Sequence, residues 1–265
     1  MSKRALKEMN TEPAAWWDFT FNPWWGCAKV SPGCKFCYAL DQADRTGFDE
    51  IWGVGSDRRT FPDKHWNGPA RWAKLAEANG TRYKVFCASM ADIFEDRDDL
   101  NGERAKLFAM MEATSEWLDW LFVTKRPENI LKMVPEAWLT NWPANVWAGT
   151  SVENQKWADI RIPELLKVPA TVRFLSMEPL IGPVDMSPWV EALEWVVVGG
   201  ESGPNSRPME TEWATDIAAA CGNAGTPFWM KQKGVVWATL NDAEGKGVDW
   251  DKFPEDCRVR QYPSE

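Results

Sequence analysis

Trp120-Leu121-Phe122-Val123-Thr124-Lys125-Arg126-Pro127 reads as a strand, a polar turn and the start of a helix. Residues 120–124 are apolar or β-branched without alternation, the pattern of a strand buried on both faces of a parallel sheet. Two cations follow at once, and Pro127 suits the first turn of a helix over 127–133. The same unit recurs along the chain. Further strand-like runs lie at 17–22, 84–89, 146–150, 172–176, 195–199 and 227–231. Apolar residues at helical spacing mark 70–79, 102–114, 153–166 and 210–222, with a weaker stretch at 188–193. Pro163 is a candidate break in 153–166, and Gly222 a candidate stop. The alternation predicts an α/β fold, a complete or partial (β/α) TIM-like barrel of about six to seven parallel strands. A doubly wound sheet is the alternative, weakened by the lack of a Walker loop and of a G-x-G-x-x-G element. One barrel domain over 1–265 is expected, with a polar insertion at about 43–72 and a C-terminal extension at about 237–265.

Composition narrows the setting. The chain has 265 residues, 45% of them hydrophobic, which is ample for a packed core. No apolar run reaches the roughly 18 residues of a membrane span. Residues 1–10 are polar and lack the apolar centre of a signal peptide, so a cytoplasmic protein is expected. The net charge of −9 argues against clamping long duplex DNA, which relies on many Lys and Arg contacts to phosphate. It leaves a nucleotide or a single extruded base open as a partner. The 19 tryptophans read first as packing groups. Trp16, Trp17, Trp24 and Trp25 bracket the first strand, where they would shield a metal group or stack on a base.

In a barrel, function collects at the C-terminal ends of the strands. Those ends are polar here: Ser89 to Asp92, Thr124 to Arg126, Thr150 to Glu153, Ser176 to Glu178, Gly199 to Gly203, and Lys231-Gln232. One such residue is ordinarily a helix cap or a solvated loop group. Their recurrence after six successive strands aims them at one mouth. The paired glycines of Gly199-Gly200-Glu201-Ser202-Gly203 would let a ligand approach the backbone closely. Lys125 and Arg126 offer cations to a carboxylate or phosphate. His65, the single histidine, lies in the polar insertion and reads as a surface residue.

Cys27, Cys34 and Cys37 follow the first strand with the spacing C-x6-C-x2-C, so they would open on the same mouth. Clustered thiols in a reducing compartment favour metal over disulfides. Three thiolates suit an iron–sulfur cluster with one iron left open. A structural zinc would need a fourth ligand, with Cys87, Cys257 or His65 as candidates. Cys87 and Cys221 read as small buried hydrophobes.

Cys34-Lys35-Phe36-Cys37 resembles the second half of the radical S-adenosylmethionine motif, although the gap from Cys27 to Cys34 is longer than that superfamily's usual first spacing. More closely, the chain resembles a phage and bacterial three-Cys-motif family of radical-SAM type. The resemblance rests on residues 22–27, 31–38, 89–94, 121–127, 151–153, 175–179 and 199–203, and spans about 16–237. It implies a [4Fe-4S] cluster on Cys27, Cys34 and Cys37, with S-adenosylmethionine chelating the open iron. One-electron cleavage would release a 5′-deoxyadenosyl radical for hydrogen abstraction. On this resemblance Phe36 and Tyr38 lie near cluster and adenine. Ser89, Asp92, Lys125 and Ser151 contact the cofactor. Glu153, Glu178, Glu201, Lys231 and Gln232 are the catalytic candidates, touching substrate or handling protons. The superfamily's Gly-Gly-Glu element normally follows the second strand. The similar Gly199-Gly200-Glu201 follows the sixth, so that role is not carried over.

The expected function is radical chemistry on a nucleobase, such as a hypermodified pyrimidine, in DNA or a nucleotide. A flavodoxin or ferredoxin would supply electrons, in the host cytoplasm for a phage-encoded chain. No membrane partner is expected, and the oligomeric state stays open. The rivals are a zinc-dependent hydrolase and a nucleic-acid-binding or adaptor protein with a structural metal.

Overall fold

Seven strands pair in parallel, in chain order, into one curled sheet that forms a half-barrel. The computed structural model describes residues 3–12 and 14–263. The strands of this sheet are β1 (Phe19–Thr20), β4 (Tyr83–Cys87), β5 (Leu118–Thr124), β6 (Val146–Ser151), β7 (Arg173–Met177), β8 (Trp195–Gly199) and β9 (Phe228–Gln232). The short β2 (Trp24–Trp25) and β3 (Arg59–Thr60) form a separate antiparallel pair. The helices are α1 (Lys3–Glu8), α2 (Tyr38–Thr46), α3 (Asp63–Asn79), α4 (Asn101–Ala113), α5 (Ile130–Met133), α6 (Gln155–Leu165), α7 (Thr211–Ala224) and α8 (Val235–Leu240). None of the described helices is long and apolar enough to cross a membrane.

Alternation along each strand divides the core in two, because successive side chains point to opposite faces. On β8, Val196 and Val198 join the large cluster that includes the buried faces of α3, α4, α6 and α7. Trp195 and Val197 join a second cluster with Trp16, Leu121, Phe174 and Trp229. That second cluster fills the concave side. Trp16, from the segment before β1, stands edge-on to Phe86, Phe174 and Trp195, with centroids 5.0, 5.8 and 5.7 Å away. Gly149 leaves room for Phe174, whose ring would lie 2.5 Å from any added Cβ.

β1 and β9 are the two edges of the sheet. The residues before β1 reach across to β9, where Trp229 Nε1 donates to the Ala14 carbonyl at 3.2 Å. On the outer edge of β9 the chain returns. Met230 N donates to Val259 O and Gln261 N to Phe228 O, at 2.8 and 2.9 Å. The C-terminal extension thus covers an edge that would otherwise expose unpaired backbone groups. Residues 264 and 265 of that extension, and residues 1, 2 and 13 of the expected domain, lie outside the described residues.

Several local expectations change. α3 begins at Asp63, inside the segment read as an insertion, and accommodates Gly68 and Pro69 in its interior. Both residue types disfavour a helix interior, but Gly68, Pro69 and the neighbouring Trp66 and Trp72 are buried, and that packing compensates a lost helical hydrogen bond. Pro163 does not break α6. The stretch 188–193 holds only a 3₁₀ turn, Val190–Ala192. α7 runs past Gly222 and stops at Gly225, which takes the left-handed conformation that favours glycine (φ 72°).

Replacing Trp16 by Ala is expected to lower unfolding stability by about 3–5 kcal/mol in a denaturant titration. Trp16→Phe should cost much less, because the indole N–H has no partner. A loss below about 1 kcal/mol for Trp16→Ala would show that this ring does not anchor the concave core.

Candidate functional site at the mouth of the half-barrel

A cavity of about 790 Å³ opens where the strands end. Cys27, Cys34 and Cys37 all line it, and all three are free thiols. The backbone that presents them starts at Gly26, which has φ 108° and whose N–H donates to Met90 O at 3.0 Å. A side chain there would run into the Ile51 carbonyl, so glycine is required. Cys34 closes the 3₁₀ turn Pro32–Cys34, and Cys37 occupies the N-cap position of α2.

Two buried ion pairs brace this loop. Asp92 receives the Thr124 hydroxyl at 2.7 Å and the Phe94 and Lys125 amides at 3.1 Å. It also holds Arg126 Nη1 at 2.9 Å. The same Nη1 lies 3.8 Å from Cys27 Sγ, and Arg126 Nη2 donates to Ala28 O at 2.9 Å. Burial, with the Asp92 charge adding to it, pushes the Cys27 thiol up to about 12, while Arg126 pulls the other way. The second brace is Glu153, fully buried, 3.1 Å from Arg161 Nη1. Ser31 donates its hydroxyl to Glu153 Oε1 at 2.5 Å, and Ser31 Oγ stands 3.8 Å from Cys34 Sγ. Gly33 fits only because it lacks a Cβ, which would meet Glu153 at 2.5 Å.

The other candidates separate into cavity groups and braces. Phe36, Tyr38, Ser89, Asp92, Lys125 and Ser151 line the cavity. Tyr38 donates to Ser89 O at 3.0 Å, and Lys125 Nζ donates to Ser151 Oγ at 3.1 Å. Glu178 and Lys231 also line it and pair at 2.5 Å, with Lys231 Nζ 5.0 Å from the Trp17 ring. Gly199 leaves space for Glu178, whose Cγ would sit 3.0 Å from an added Cβ. Glu178 Oε1 is buried without a partner. Glu201 accepts from Arg207 Nη2 at 2.6 Å, and that guanidinium also donates to Pro32 O at 2.9 Å. Gln232 donates to Gly200 O at 2.7 Å and accepts from Gly234 N at 3.1 Å. Glu201 and Gln232 reach the cavity wall with their polar atoms engaged, whereas Glu153 stands behind the cysteine loop and off the wall.

Sequence reading missed Arg161, Arg207 and Ser31 as braces. Nothing local marks that role: Glu153 and Glu201 lie only 8 and 6 residues from Arg161 and Arg207, but the loop contacts, Ser31 to Glu153 and Pro32 to Arg207, span 122 and 175 residues. Arg126 was read only as an anion-binding cation. His65, read as a surface residue, is half-buried and lines the cavity, stacked on Phe21 and Phe61 with centroids at 4.9 and 4.3 Å, its Nε2 2.8 Å from Asn22 O. Cys87 and Cys257 are buried in the helix-side core and do not line the cavity, so neither is placed as a fourth zinc ligand. Cys221 is buried in the same core, as a small hydrophobe.

The chain belongs to the family described as "Protein of unknown function (DUF5131)", which matches residues 11–254. No curated protein and no solved structure matches it. Among the described residues no three Cys, His, Asp or Glu side chains converge tightly enough to hold one metal ion. A cluster makes a different demand, because each thiolate meets a separate iron. Three free thiols lining the same cavity, with a guanidinium N–H beside one of them, are the chemical donor set such a cluster takes.

Glu153→Ala strands Arg161 without its carboxylate and is expected to cost about 3–5 kcal/mol of unfolding stability. Glu153→Gln with Arg161→Met should recover much of that loss; no recovery would mean that the ion pair is not what the loop depends on. Burial lowers the pKa of His65, so the unfolded chain takes up this proton first as pH falls. Its contribution is present above about 6.5 and is lost as pH drops below that value. Stability measured between pH 5 and 7 should therefore fall less steeply in His65→Gln; an unchanged slope would exclude His65 as its source.

Proposed function

We propose that this protein is a radical S-adenosylmethionine enzyme whose [4Fe-4S] cluster sits on Cys27, Cys34 and Cys37. One observation carries the reading: three free thiols of a single loop line the same cavity as the polar ends of the parallel strands. When bound, cluster and S-adenosylmethionine supply a 5′-deoxyadenosyl radical for hydrogen abstraction, chemistry that belongs to the cofactor while the protein orients and shields.

Each side chain then has a task. Phe36 and Tyr38 flank the cysteines. Lys125, paired with the Ser151 hydroxyl, offers a cation to the carboxylate of S-adenosylmethionine. Ser89 and Asp92 support that wall. Glu178 and Lys231 face substrate as an ion pair. Trp17 and Phe86 line the same cavity with aromatic rings. Glu153, Glu201 and Gln232 are positioning residues. A nucleotide or a singly presented nucleobase, in DNA modification, is the substrate proposed, in line with the acidic net charge. A flavodoxin or ferredoxin in the cytoplasm is the proposed electron source.

Anaerobic purification and reconstitution test this. About four irons and four sulfides per chain are expected, with loss of the cluster in Cys27→Ala, Cys34→Ala and Cys37→Ala. Reductant and S-adenosylmethionine should then yield 5′-deoxyadenosine. A colourless protein holding one zinc would overturn the proposal.

A further inference from the structure

We infer, resting on the cluster reading above, that Arg126 is a positioning residue for the iron–sulfur group: it donates an N–H to the Cys27 sulfur and raises the cluster's reduction potential. One planar guanidinium spans two atoms of the cysteine loop. Nη1 lies 3.8 Å from Cys27 Sγ, and Nη2 lies 2.9 Å from the carbonyl of the next residue, Ala28. A guanidinium holds its donors in a fixed fork, so the Ala28 bond aims the N–H at the sulfur.

The fork is itself immobilised. Asp92 Oδ2 takes Nη1 at 2.9 Å. Asp92 cannot swing, because the Thr124 hydroxyl and the Phe94 and Lys125 amides already hold it. The Arg126 amide closes the turn by donating to Thr124 Oγ1 at 2.9 Å. Glu95 stands 3.9 Å from Nη2 but is committed to Arg58, which grips it through two hydrogen bonds of 2.8 and 2.9 Å. Two guanidinium and two carboxylate groups therefore balance beside Cys27. Arg126 is not surplus charge, and it is the member of the four that reaches the sulfur.

The direction of the effect follows from charge. Taking up one electron adds a negative charge to the cluster. With the surrounding charges balanced, the hydrogen bond donated to the cluster thiolate is what favours the reduced form. Lys29 and Lys35 on the same loop are exposed, where solvent and salt screen them. Cys34 meets a neutral hydroxyl, that of Ser31.

The test uses reconstituted wild type, Arg126→Lys, the pair Arg126→Met with Asp92→Asn, and Lys29→Ala. Iron and sulfide are counted in each. The reduced cluster is then followed by electron paramagnetic resonance through an anaerobic titration with titanium(III) citrate. The double variant keeps the net charge, so a shift there reports the directed N–H···S bond rather than lost charge. The potential should move to more negative values in Arg126→Lys and in the double variant, and stay at the wild-type value in Lys29→Ala. Should one Arg126 variant not fold, the other carries the measurement. Full cluster content with an unmoved potential overturns this inference alone, as does an equal shift in Lys29→Ala. A wild-type protein that takes up no iron and sulfide overturns the cluster reading itself, and this inference with it.

Discussion

Burial of both faces of the parallel sheet is the constraint on which the rest depends. The concave side is packed with aromatic rings around Trp16, and the convex side is covered by helices. A polar side chain in the middle of a strand would be stranded in one core or the other. Polar groups therefore collect where strands end, and parallel pairing in chain order brings those ends to one mouth. The cavity with its thiols, cations and carboxylates is a consequence of that segregation.

Charges at the mouth are held mostly as pairs: Arg126 with Asp92, Arg161 with Glu153, Arg207 with Glu201, Lys231 with Glu178. A buried ion pair contributes little net stability once desolvation is counted, but breaking it is costly. These pairs act as geometric ties. The cysteine loop is fixed through Cys27, Ser31 and Pro32 by groups 99, 122 and 175 residues away. Lys125 makes no ion pair among the described residues, and Glu178 keeps one oxygen without a partner.

Much of the fold was legible because strand burial writes itself into local composition. The run at 195–199 coincides with β8, and the runs at 120–124 and 146–150 lie within β5 and β6. Legibility failed where packing outweighs local preference. The helix read at 70–79 begins already at Asp63, and α3 passes through Gly68-Pro69 on a buried face. The β2–β3 pair has two residues in each strand, too short to carry a periodicity. The helical spacing at 188–193 is realised only as one tight turn.

The sequence alone determined the fold class, the polar strand ends and the loop with three cysteines, because each rests on neighbours along the chain. Only the tertiary structure decided which charged side chain faces the cavity and which braces the loop. Glu153 and Glu178 both follow a strand and look alike as text. One is sealed behind the loop by Arg161 and Ser31, while the other lines the cavity beside Lys231. Glu153 and Arg161 are 8 residues apart and Glu178 and Lys231 are 53 apart, and nothing local in any of them says whether the pair will face the cavity or seal the loop.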